Sequence, residues 1–128
     1  FWKDVQDKPL TRVQIKPMSP QFQGPVYVLI SNRTASAAEF TVDALAHLKN
    51  VTIIGQTTAG EMLSQKMFDL PHGLQLSLPI ADYYATRMGR IEGKGVDPDI
   101  AIDAEKAKEL SLALIKGVKL DDARNQMQ

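Results

Sequence analysis

The sequence predicts an α/β domain: a parallel β–α–β unit, an antiparallel hairpin after it and a helix near the C-terminus. Three patterns carry that expectation. Apolar runs at residues 25–31 and 51–55 flank a stretch whose apolar residues recur at helical spacing. Leu74, Leu76 and Leu78 alternate with Gln75 and Ser77 behind the turn signal Pro71-His72-Gly73. Ala107, Leu110, Ser111 and Leu114 return to helical spacing behind Asp103, a residue able to cap a helix start.

Residues 1–24 read as an excursion preceding the core. Thr11 to Lys16 alternate as a short half-buried strand would, and Pro17, Pro20 and Gly24 then break the chain. The run 25–31 is β-branched and aromatic, hence a buried strand. Ala37, Phe40, Ala44, Leu45 and Leu48 mark the inner face of a helix, with Glu39, Asp43, His47 and Asn50 on the opposite face. Residues 51–55 form a second strand, parallel to the first because a helix joins them. The small, polar loop 56–61 leaves the C-terminal end of that strand, where α/β folds place ligands. Strands at 66–70 and 74–78 make the hairpin, one face of it buried, and 80–86 continues as a further strand in which Tyr83 and Tyr84 pack. Met88-Gly89-Arg90 is a turn, and Asp97-Pro98-Asp99 a rigid stop. A last helix spans about 104–116 and ends at Gly117. Residues 119–128 are a polar tail expected to fray.

Composition bounds the function. The 128 residues suffice for one domain with a core. Fifteen basic residues balance fifteen acidic ones with no basic block, which argues against nucleic acid as a partner. The absence of cysteine excludes disulfides, thiolate nucleophiles and cysteine-bound zinc. Two histidines are too few for a metal site, and no cofactor motif is present.

The most informative position is Ser36, where a buried strand turns into a helix. Helix-start N–H groups lack intrahelical acceptors and carry partial positive charge, so they suit an alkoxide and an acyl-transfer oxyanion. Ser36-x-x-Glu39 is also the pattern of a capping box, the commoner use of such residues. The residues alone leave both readings open.

Five pieces in register resemble the tail-specific, or C-terminal processing, serine peptidases: Gly24-Pro-Val-Tyr-Val-Leu-Ile30, Thr34-Ala-Ser-Ala-Ala-Glu39, Ile54-Gly-Gln-Thr-Thr-Ala-Gly60, Leu70-Pro-His-Gly73 and Gly93-Lys-Gly-Val-Asp-Pro-Asp99. The branch most resembled includes tricorn protease and the interphotoreceptor retinoid-binding protein repeats. The resemblance implies a crotonase/Clp-protease-like core, with residues 25–118 as the C-terminal part of a catalytic domain. It implies Ser36 as nucleophile and the Ala37 N–H as one oxyanion donor. One branch of the family places a dyad lysine in a Thr-x-Gly-Lys loop. Here that loop reads Thr58-Ala59-Gly60-Glu61, and Lys66 lies five residues out of register. The other branch uses serine, histidine and a glutamate three residues before Gly-Val, which is Glu92 here. Gly60 and Glu61 are candidate substrate-cleft residues.

The expected base is absent. Its position in the family is well upstream of the serine, where this chain has no histidine. His47 would sit roughly 16 Å along the helix from Ser36, and His72 lies in a turn. The resemblance therefore implies an upstream segment that supplies the base and a second oxyanion donor, leaving this chain alone inactive and prone to homo-oligomerise through its open sheet. It also implies a polypeptide substrate and a periplasmic or secreted setting. The alternative is a non-catalytic retinoid- or lipid-type binding module on the same fold.

Overall fold

The two apolar runs pair as parallel strands, as the helical crossover between them requires. The structure is a computed structural model that describes residues 2–4, 8–11, 16, 18–85 and 88–127. In chain order these form β1 (Trp2–Asp4), β2 (Pro9–Thr11), β3 (Val26–Ile30), α1 (Ala37–Leu45), β4 (Val51–Gly55), β5 (Ser64–Asp69), β6 (Gln75–Ala85), β7 (Gly89–Arg90), β8 (Ile100–Ala101), α2 (Ala104–Ile115) and α3 (Leu120–Gln126). A 3-10 turn, Pro71–Gly73, closes the β5–β6 hairpin.

The parallel sheet runs β3-β4-β8, with Val26 opposite Val51 and Ile30 opposite Gly55. The antiparallel sheet runs β2-β1-β6-β5, and β7 also pairs with β6. Successive strand residues face opposite sides, so neighbours in β4 serve two cores. Ile53 packs with Ile30, Val42, Met62, Tyr83, Ile91 and Val96 between the sheets and α1. Ile54 packs with Ala107, Leu110 and Ala123 beneath α2 and α3.

Several expectations need correction. The excursion 1–24 contains β1, which pairs with β6 over Trp2–Asp4 and so joins the antiparallel sheet; the strand expected from Thr11 to Lys16 falls mainly on residues outside those described. The strands expected at 74–78 and 80–86 are one eleven-residue strand, although Thr86 also lies outside the described residues. The hairpin's leucine face is not buried: Leu74, Leu76 and Leu78 are exposed, because the outer half of β5–β6 extends past the core and only Ala81, Tyr83 and Ala85 enter it. The stop at Asp97-Pro98-Asp99 leads directly into β8. The tail expected to fray carries α3, anchored by the wholly buried Ala123 against α2.

The largest correction concerns α1. Its polar face points inward: Glu39 and Asp43 are buried, whereas Leu48 lies beyond the helix end and is exposed. Buried carboxylates are tolerated where donors satisfy them. The Tyr83 hydroxyl donates to Asp43 Oδ2 at 2.9 Å, and the Tyr83 ring meets Phe40 edge-on at 5.3 Å. This pair ties α1 to β6.

Burial above all, then the hydrogen bond and charge of Asp43, push the Tyr83 phenol above the usual tyrosine range. The folded state thus keeps a proton that the unfolded chain loses near pH 10. Stability from this group is complete below that pH and declines as pH rises beyond it. Urea unfolding at pH 8 and at about pH 11 should show a larger loss of stability in the wild type than in Tyr83→Phe. Equal losses would mean that Tyr83 does not carry the effect.

Candidate active site

Ser36 ends the link between β3 and α1 and occupies an unusual backbone conformation, φ 55° and ψ −124°. Glycine adopts such angles freely; a residue with a Cβ is strained there by about 1–3 kcal/mol. Main-chain bonds impose the turn. Ser36 N–H donates both to the Glu61 carbonyl and to Glu39 Oε2, each at 3.0 Å, and Ala59 N–H donates to the Thr34 carbonyl at 2.9 Å. The turn leaves Ser36 exposed in a cleft of about 540 Å³ that is also lined by Glu61, Leu63, Ser64, Gln65 and Glu92. Ala37 contributes the first N–H of α1, one that a helix leaves without an intrahelical acceptor.

Glu39 lies directly beneath and is wholly buried. Besides Ser36 N–H, its carboxylate accepts from Thr58 Oγ1 at 2.5 Å, Gly60 N–H at 2.7 Å and Glu61 N–H at 2.9 Å. Thr58 Oγ1 in turn accepts from Val96 N–H at 2.7 Å. One carboxylate therefore fastens the serine turn to loop 58–61, and its threonine partner fastens that loop to the segment after Glu92. The capping box is present, but its glutamate bond is a minority of what Glu39 does.

The two loops meet backbone to backbone. A Cβ on Gly60 (φ 73°) would lie 2.8 Å from Gly95 N, and one on Gly95 (φ 79°) only 2.3 Å from the Thr58 carbonyl oxygen. Their close approach brings Glu92 to the cleft. Its Oε2 accepts from Met62 N–H at 2.6 Å and Leu63 N–H at 3.1 Å. Its Oε1 has no hydrogen-bond partner among the described residues.

The sequence candidates thus separate. Ser36, Glu61 and Glu92 share the cleft. Gly60, expected to line it, is instead buried behind it against residues 93–95, because only glycine fits that contact. His47 follows α1 in an exposed turn and His72 sits exposed at the hairpin tip; neither lines the cleft. Lys66 is a β5 residue whose ammonium lies over the Phe68 ring, 5.4 Å from its centre. Sequence reading missed the Glu39–Thr58 pair. The available signal was a glutamate in the first turn of α1 and a threonine in the loop that follows β4.

The pattern that defines peptidase family S41 matches residues 3–102. The chain belongs to peptidase family S41. It is 31% identical over 86 residues to a carboxyl-terminal-processing protease of Picosynechococcus, covering 67% of this chain and 21% of that protein. Among solved structures, the photosystem II D1 C-terminal processing protease superposes with a TM-score of 0.58 at 35% identity, over 73% of this chain and 23% of that one. Mature CPAF complexed with lactacystin gives 0.61 at 27% identity, over 93% and 23%. The S41 chain thus spans about a fifth of the length of the curated relative it matches, and its mixed parallel and antiparallel core is the Clp-protease-like fold of these peptidases. Among the described residues no helix is long and apolar enough to cross a membrane.

Two substitutions test this architecture by equilibrium unfolding. Ser36→Gly should raise stability by about 1 kcal/mol by releasing strain. Glu39→Gln should lower it by about 2–4 kcal/mol, since an amide NH₂ then faces donors inside the core. A destabilised Ser36→Gly protein would show that the turn is not strained.

Proposed function

We propose that this S41 chain carries the nucleophile of a serine endopeptidase, Ser36, and the carboxylate that orients its base, Glu92. The observation that carries the reading is the strained conformation of Ser36 at the mouth of a cleft. As a cap, serine gains only a few tenths of a kcal/mol over glycine, less than the roughly 1–3 kcal/mol of strain it bears here, whereas a nucleophile gains exposure beside the Ala37 N–H.

In this reading Ser36 Oγ attacks the carbonyl carbon of a bound polypeptide as its proton passes to a base. The carbonyl oxygen becomes an oxyanion that accepts a hydrogen bond from Ala37 N–H. The Ser36 N–H is already engaged by Glu39 and Glu61, so a second oxyanion donor comes from elsewhere. Collapse breaks the C–N bond, the base returns the proton to the leaving amine, and water hydrolyses the acyl-serine by the same steps in reverse. The base is supplied from outside these 128 residues, since neither His47 nor His72 lines the cleft. Glu92 Oε1, the oxygen not spent on Met62 and Leu63, is free to fix the base's orientation. A periplasmic or secreted setting follows the family resemblance, and bacterial and chloroplast relatives are in keeping with it.

In the full-length protein, a fluorophosphonate should label Ser36, and Ser36→Ala should abolish labelling and lower turnover by about 10⁴–10⁶-fold. Glu92→Gln should lower turnover by roughly 10²–10⁴-fold with little change in substrate binding. A stable Ser36→Ala protein with normal turnover would overturn the assignment. The 128-residue chain alone should show no turnover attributable to Ser36. It should also associate with rising concentration, because β3 ends the parallel sheet among the described residues and leaves Leu29 exposed. Light scattering that reports a monomer throughout would reject that association.

A further inference from the structure

We propose that the Ser36 cleft selects polypeptides with a lysine or arginine side chain beside the scissile bond, and that Glu61 is the residue that reads it. The inference rests on the peptidase reading above. Both charged residues of the cleft, Glu61 and Glu92, are acidic, and among the described residues no lysine or arginine lines it. Two cations of neighbouring strands are engaged elsewhere. Arg90 pairs with Asp82, lines a separate cavity that shares only Leu63 with the cleft, and hydrogen-bonds Glu92 at its main-chain carbonyl, at 3.4 Å. Lys66 lies over Phe68.

The two carboxylates are not equivalent. Glu92 is committed through Oε2 to two main-chain N–H groups. The Glu61 carboxylate has no hydrogen bond or ion pair among the described residues. Its main chain, by contrast, is held on both sides: N–H to Glu39 Oε2 at 2.9 Å, and carbonyl to Ser36 N–H at 3.0 Å. The Glu61 Cα is therefore fixed relative to the nucleophile, and an unpaired negative charge stands at the rim of the cleft.

A cleft lined by one sign of charge concentrates its field. Filling it with a peptide removes water from Glu61, which penalises a neutral neighbour, penalises an acidic one further and favours a cation. The cationic side chains a polypeptide carries at neutral pH are lysine and arginine.

The test uses full-length protein and three peptidyl diphenyl phosphonates that differ only in the side chain next to the phosphorus: lysine-like, norleucine-like and glutamate-like. A generic fluorophosphonate serves as the parallel check on Ser36. The lysine-like probe should inactivate wild-type protein about tenfold faster than the norleucine-like probe at low ionic strength, and added salt should shrink that ratio. Glu61→Gln should bring the ratio close to one, and Glu61→Lys should make the glutamate-like probe the fastest. A wild-type ratio near one, or a ratio unaltered by Glu61→Gln, while the fluorophosphonate still labels Ser36, overturns the specificity and leaves the nucleophile standing. Failure of the fluorophosphonate to label Ser36 overturns both.

Discussion

One buried carboxylate holds the candidate site together. Glu39 gathers donors from the serine turn, from the Thr58 hydroxyl and from the two residues that follow Ala59. Leaving an ionised group this deep without partners would cost several kcal/mol, so each donor is as necessary to Glu39 as Glu39 is to the donors. That mutual dependence lets a helix start, a strand-end loop and a second loop behave as one rigid unit. It also opposes relaxation of the Ser36 backbone, because a turn with ordinary angles would aim the Ser36 N–H away from both of its acceptors.

The rest of the fold delivers parts to this unit. The parallel pairing of β3 and β4 brings residues 31–36 beside residues 56–61, and Gln56 N–H donates to the Ile30 carbonyl at 3.2 Å. At the far side, Asp99 Oδ2 accepts from Ile53 N–H at 2.8 Å, which docks the segment after Glu92 on β4 before β8 begins. Asp43 and Tyr83 stake α1 to the antiparallel sheet one turn beyond Glu39. Long-range polar ties of this kind locate a site more tightly than apolar packing alone, since hydrogen bonds are directional.

The β–α–β unit was legible because β-branched runs and helical spacing are strong local signals, and Ser36 was legible because those signals change over at that residue. The inward face of α1 was not. Periodicity sorts residues by polarity, whereas the burial of Glu39 depends on donors about twenty residues away in sequence. β8 is two residues long and offers no pattern to read. α3 has a polar sequence in which one alanine makes the buried contact. The hairpin misled for another reason: alternation at Leu74, Leu76 and Leu78 reports that a strand has two unlike faces, not that anything covers the apolar one. Glu61 and Glu92 were legible as candidates through their loops, but their different commitments appeared only with the main-chain bonds around them.

The interlocked glycines have a consequence for how such a site diversifies. Gly60 and Gly95 let the loops meet through main chain alone, and Glu61 enters the framework only by its N–H and carbonyl. Any residue other than proline offers those same two groups. Position 61 is thus an interchangeable fitting beside Ser36: the scaffold specifies where its side chain begins but not what that side chain is. A lineage could exchange an ammonium for a carboxylate there by single substitutions, altering the chemistry of the cleft while the bonds that set the serine turn stay in place.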